Sequence, residues 1–322
     1  MPRLSIVIPW NGPPGPFEDT LAAVLQNRPS GCEVVVALAQ TYDDPYGLGD
    51  EVTFVASGNT VGNDLVSLAN AGIAAASAPI VEVVPCGLQV TEGWTSAALL
   101  HFAEHDIAAV APVIVSNQQA QRVLSAGVNF TTGGARQLAQ AGKKYKVSDL
   151  VQTRPLAAPL AGGFFRKSVV MALGGFDATL GEHGADLDFA LCAAELALRT
   201  ECEPTSMITT DRVASDDGSL SAGRELEQLF WRHLPAEERA TRTRQHYLRC
   251  AAELGYGLVQ PWWLAHAAGR AAGWLGSLRN SGTADRIAKA QAHLAELDAP
   301  QILSLHGRRG AQPVDRTIRR AA

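Results

Sequence analysis

Through the first two hundred residues, short apolar runs rich in β-branched side chains alternate with stretches of helical period. Residues 4–9 are such a run, closed by Pro9 and followed by Asn11-Gly12-Pro13-Pro14. This pattern predicts a buried strand feeding a loop at its C-terminal end. Residues 33–38, 52–56, 79–84 and 107–115 predict four more strands on the same grounds. Helical patterns lie between them: 17–26 aligns Leu21, Val24 and Leu25, and 64–77 aligns Leu65, Leu68 and Ile73. Residues 92–105 and 186–198 predict further helices, the second with Leu187, Leu191, Ala194 and Leu198 on one face. Residues 117–160 are polar and irregular, and order returns over 161–173. Beyond about Ser215 the character changes. Residues 221–234, 236–254, 262–278 and 283–297 are all helical by period, with no strand between them.

Strands alternating with helices predict an α/β fold, a mostly parallel, doubly wound (Rossmann-like) sheet flanked by helices. The chain divides into a sheet domain over 1–215 and a helical C-terminal extension over 216–322. Ligands of such sheets bind beyond the C-terminal strand ends. The residues expected there are Trp10-Asn11, Leu38-Ala39-Gln40 and Pro85-Cys86-Gly87.

Composition narrows the classes. A chain of 322 residues, 47% hydrophobic and 18% charged, can bury a large core and is not disordered. No run is long enough for a membrane span, and the N-terminal apolar run is too short for a secretory signal. Five cysteines make an odd count without a CxxC pair, which excludes a disulfide scaffold or zinc module and points to a reducing cytoplasm. The net charge of −5 is uneven: from Ser221 onward 15 Lys/Arg face 9 Asp/Glu, against 12 and 23 before it. No nucleic-acid partner is expected, because the body is acidic and the tail lacks an aromatic platform. Trp262, Trp263 and Trp274 with Arg270 and Arg279 suit either a helix packed inside the protein or one lying peripherally on the inner face of a membrane. The many small residues among them favour internal packing.

The order of these pieces resembles glycosyltransferase family 2 on the GT-A fold. The matching segments are Leu4-Ser5-Ile6-Val7-Ile8-Pro9-Trp10-Asn11, Glu18 with Leu21, Val24-Leu25-Gln26 and Glu33-Val34-Val35-Val36. They continue with Asn70-x-Gly72-Ile73, Gly93-Trp94, Gly162-Gly163-Phe164-Phe165-Arg166-Lys167 and Gly174-Gly175-Phe176-Asp177. They run in family order over about residues 3–213. The resemblance implies transfer of a sugar from a nucleotide-diphosphate donor to a glycan or lipid-linked acceptor. Pro9, Trp10 and Asn11 would line the nucleotide site, with Asn70 supporting it. Asp186 would be the general base, taking the proton of an acceptor hydroxyl. Its other reading is the N-cap of the 186–198 helix.

Departures from the family pattern set up a rival reading. Leu38-Ala39-Gln40 stands where the family has an Asp that reads the base, and Ala69 where it has an Arg. Pro85-Cys86-Gly87 stands in place of the DxD triplet, whose carboxylates hold a divalent ion. None of these three is a hard oxygen ligand, so no metal cofactor is expected. The alternative is thus a GT-A scaffold that binds a glycan or a protein without chemistry. Four further features have bland readings that outweigh functional ones. His183 beside Glu182 suits a polar loop, Asp43-Asp44 a turn, Asp216-Asp217-Gly218-Ser219 the start of the tail, and Cys86 an unreactive thiol.

Overall fold

The computed structural model describes residues 2–56, 62–119, 121–210, 218–257, 259–277 and 282–307, with side chains as far as 297 apart from that of Trp262. The expected boundary at 215–216, Asp216-Asp217 and Arg279 fall outside these residues.

The apolar runs form the centre of a nine-stranded sheet. Strand β1 (Leu4–Trp10) lies between β2 (Glu33–Leu38) and β4 (Ile80–Val83), parallel to both, and β2 pairs in parallel with β3 (Thr53–Ala56). Alternate residues feed two cores, as the period of a strand requires. Val7, Val35, Val81 and Val83 face one helical layer, α2 (Leu65–Ala75), α5 (Lys167–Ala172) and α6 (Gly181–Glu195). Ile6, Ile8, Val34 and Val36 face the other, α1 (Pro14–Asn27) and α3 (Trp94–His101), through Phe17 and Trp94.

Beyond β4 the sheet becomes mixed. The short β10 (Phe164–Arg166) is inserted antiparallel between β4 and β6 (Ile107–Ser116), so β6 keeps the direction of β4. The long β11 (Arg199–Thr210) runs parallel to β6 and antiparallel to β5 (Leu88–Val90), and β7 (Val123–Ser125) pairs with β6. The polar stretch 117–160 also holds a hairpin, β8 (Val128–Phe130) with β9 (Arg136–Leu138), and the single turn α4 (Val147–Leu150).

The C-terminal helices are α7 (Leu220–Arg232), α8 (Arg239–Gly257), α9 (Trp262–Ser277) and α10 (Thr283–Gly307). Helix α9 lies close against α7 because glycines face each other: a Cβ at Gly223 would overlap the carbonyl of His266, and one at Gly269 that of Leu220. Arg270, which the sequence groups with interfacial residues, is 4% exposed. It donates to Glu253 at 2.6 Å, to Glu227 at 3.1 Å and to the carbonyl of Gly134 at 3.3 Å. Burial opposes ionisation of Glu253, but His266 and Arg270 outweigh it and hold the carboxyl at about 2. Burial likewise opposes charge on His246, yet Cys250, Glu227 and the Gly133 carbonyl raise it to about 9. No described helix is long and apolar enough to cross a membrane.

Candidate active site

The C-terminal ends of β1, β2 and β4 meet at one edge of the sheet. Trp10 lies opposite Leu38, and the Val84 N–H donates to the Val7 carbonyl at 2.8 Å, leading directly into Pro85-Cys86-Gly87. A cavity of about 450 Å³ opens at this edge. It brings together Pro9, Trp10 and Asn11 from β1 and its loop, Cys86 after β4, and Arg136, His183 and Asp186 from later segments.

The strand ends are firmly held. Thr20 Oγ1 accepts from the Gly87 N–H at 2.9 Å and donates to the Leu88 carbonyl at 3.0 Å. Thr210 Oγ1 donates to the Gly87 carbonyl at 2.8 Å. Gly87 has φ +94°, a conformation that suits glycine. Trp10 is stacked on Phe17, with ring centroids 4.8 Å apart, and its Nε1 donates to the Pro13 carbonyl at 3.2 Å. Asn11 Nδ2 donates to the Asn63 carbonyl at 2.9 Å, tying the β1 loop to the approach to α2.

Asn70 is set apart from the cavity lining. Its Oδ1 accepts from the Phe176 N–H and its Nδ2 donates to the Phe176 carbonyl, both at 2.8 Å. Its amide therefore staples α2 to the Gly174-Gly175-Phe176 turn. Asp44 is likewise occupied locally, accepting from Leu48 N at 2.9 Å and Gly49 N at 3.2 Å.

Asp186 is 1% exposed and makes a two-pronged pair with Arg136, at 2.6 and 2.8 Å. Its Oδ2 also accepts from the Leu160 N–H at 3.3 Å. It is not a helix cap: α6 begins at Gly181, five positions before Asp186. Capping at this corner falls to Asp177, which accepts from the Thr179 N–H at 2.9 Å. Arg136 reaches Asp186 from β9 and also donates to the His183 carbonyl at 3.1 Å. His183 in turn has Nδ1 2.9 Å from Oε2 of Glu225, on α7. The sequence gives no signal for Arg136 or Glu225, since each acts through a partner about 40 to 50 residues away that only folding supplies.

Two residues beyond Asp186 on α6, Asp188 is fully buried and binds His233 at 2.8 Å, Arg232 at 3.2 Å and Arg286. Burial opposes its ionisation, but His233, Arg286 and Arg232 outweigh that and hold the carboxyl at about 2. Asp188 is thereby the tie between α6, α7 and α10.

No protein-family model matches the chain, and no curated protein sequence does. Solved structures do. A mannosyltransferase, PcManGT from Pyrobaculum calidifontis in complex with GDP-Man and Mn2+, matches 94% of this chain and 81% of its own, at TM-score 0.50 and 16% identity. GalNAc-T7 with UDP, GalNAc and Mn2+ matches 75% of this chain at TM-score 0.51 and 12% identity. The chain spans 54% of the length of GalNAc-T7 and 42% of that of S. aureus TarS, which it matches at TM-score 0.50 and 12% identity. The fold is that of the GT-A glycosyltransferases.

These neighbours overturn the expectation of no metal cofactor. Two of them hold Mn2+ on this fold. That expectation rested on a window of three residues, Pro85-Cys86-Gly87, whereas ligand groups can come from any segment that folding brings together. Asp188, Cys192 and His233 form one such cluster in this chain, and Glu227, His246 and Cys250 another. Their carboxylate, imidazole and thiol groups are ligand types a divalent transition metal accepts. In each cluster the carboxylate also carries a guanidinium, Arg232 and Arg286 on Asp188 and Arg270 on Glu227. An ion entering either cluster would have to displace that arginine.

Proposed function

We propose that the chain is a glycosyltransferase that moves a sugar from a nucleoside-diphosphate donor to an acceptor hydroxyl. One observation carries this reading: a single cavity joins the ends of β1 and β4 to the Asp186–Arg136 pair. The donor nucleotide would lie along Pro9, Trp10 and Asn11, and the acceptor beside α6. Asp186 takes the hydroxyl proton, exchanging one Arg136 N–H for the acceptor O–H, while Arg136 keeps the carboxylate aimed. A divalent ion, when bound, neutralises charge on the diphosphate. The acceptor is a glycan or a lipid-linked acceptor. Tyr247, Leu248, Leu254 and Tyr256, exposed on α8, support approach to a lipid surface.

The second reading is a glycan- or protein-binding scaffold without chemistry, favoured by Arg136 occupying both oxygens of Asp186. Asp186→Asn separates the two. For an enzyme, transfer falls by a factor of about 10² or more while donor affinity is kept. Asp186→Asn also removes one charged partner of Arg136 and lowers stability, so turnover is read well below the variant's melting temperature. Transfer unchanged in Asp186→Asn removes Asp186 from the chemistry. Absence of transfer in the unmutated protein, with glycan binding retained, establishes the scaffold.

A further inference from the structure

A second ionisable pair stands at the cavity wall, with His183 lining it and Glu225 behind His183 on α7. His183 lies in the first turn of α6 and lines the cavity, with its side chain 23% exposed. Glu225 comes from α7 and is 5% exposed. Its Oε2 lies 2.9 Å from His183 Nδ1 and accepts from the His183 backbone N–H at 3.4 Å. Gly181 makes room for this carboxylate. Its φ is +54°, and a Cβ there would overlap the Glu225 side chain. A carboxylate offers only acceptor oxygens, so Nδ1 carries the hydrogen and donates to it. The ring is thereby fixed in orientation and tautomer, the arrangement in which an imidazole backed by a carboxylate handles charge. Among the described residues, the charged groups near it include Glu182 and Asp186 on α6, Arg136 on β9, and Glu225 with Arg224, 3.7 Å apart, on α7.

Resting on the glycosyltransferase reading, we infer that His183 is a further catalytic residue, meeting the departing nucleoside diphosphate as an imidazolium. Glu225 is the residue that positions it. The acceptor oxygen bonds to the anomeric carbon as its proton passes to Asp186. The bond from that carbon to the β-phosphate oxygen breaks, and the electron pair stays on the oxygen. That oxygen accepts a hydrogen bond from Nε2 of the protonated ring, which stabilises charge that develops only as the bond breaks. Glu225 balances the ring's charge from the opposite side.

The test measures nucleoside diphosphate release from GDP-mannose and UDP-N-acetylgalactosamine, with Mn2+, over a pH series. It uses the full chain and the variants His183→Gln, Glu225→Gln and Glu225→Asp, with donor affinity and melting temperature read on each preparation. His183→Gln lowers kcat by about 10²-fold with KM changed less than about 3-fold, as for loss of a group acting in the transition state. In the unmutated protein the rate falls as pH rises through the imidazole range. Glu225→Gln moves that fall to lower pH, and Glu225→Asp restores part of the rate. An active unmutated protein whose rate survives His183→Gln overturns this inference alone. So does a Glu225→Gln pH profile that superposes on the unmutated one while only the melting temperature drops. An unmutated protein that neither binds nor cleaves either donor overturns the glycosyltransferase reading, and this inference with it.

Discussion

Glu82 lies on β4 with no exposed surface, a carboxyl placed among apolar neighbours. Its Oε1 accepts from Trp94 Nε1 at 2.8 Å, and its Oε2 meets no hydrogen-bond partner among the described residues. Burial pushes its carboxyl well above the ordinary 4.5, and the Trp94 hydrogen bond only partly opposes this. The native protein therefore keeps a proton that the unfolded chain releases once pH exceeds about 4.5. The sign follows: this residue's contribution to stability worsens as pH rises above that point. Glu82→Gln removes the titration and keeps the shape. It raises the melting temperature more at pH 8 than at pH 4, measured by thermal melts at both. An equal shift at the two pH values would mean that Glu82 is ionised in the native state. The neighbouring apolar run, by contrast, was enough to place β4 in the core, and Glu82 is its one exception.

At the scale of elements, what the sequence reveals depends on how an element is buried. Strands β1, β2, β4 and β6 bury nearly every residue and are legible as apolar runs. Strand β11 also alternates, with Cys202, Pro204, Ser206, Ile208 and Thr210 turned inward, but four of these are small or polar and show no apolar alternation. A register shift between Cys202 and Met207 blurs it further. The start of α6 is hidden by Gly181 and Gly184, which carry no helical signal, so Asp186 looks like a cap when it lies within the second turn. Glycines in α7 and α9 are informative in the other direction. Gly269 faces the Leu220 carbonyl, whereas Gly255 on α8 has open space around its would-be Cβ. Gly269→Ala forces the helices apart and costs about 2 kcal/mol, more than the helix propensity it gains. Gly255→Ala stabilises by about 0.5–1 kcal/mol. Denaturant melts of the two variants check this, and a Gly269→Ala protein as stable as Gly255→Ala would show that the α7–α9 contact yields without cost.

For the whole molecule, the C-terminal helices complete the body and back one wall of the cavity, whose lining comes from residues 9–210. Arg286 on α10 donates to the Leu173 carbonyl at 2.6 Å and the Gly175 carbonyl at 2.7 Å, beside the turn that Asn70 holds. Ala290 is fully buried against the sheet's helical layer, and Glu225 reaches His183 at the cavity. The fold and the position of the cavity were open to sequence reasoning, because strand ends are legible. The pairs that give the cavity its chemistry were not, because Arg136 and Glu225 meet α6 only in the folded chain. The central claim is that this cavity binds a nucleotide sugar, and calorimetric titration with GDP-mannose and UDP-N-acetylgalactosamine in the presence of Mn2+ tests it most directly. The predicted result is saturable binding of one donor per chain with Kd between about 1 μM and 1 mM, in the range usual for enzyme substrates. Binding should weaken at least tenfold in Cys86→Trp, whose indole fills the cavity at the end of β4. No binding of either donor, or binding that Cys86→Trp leaves unchanged, would contradict it.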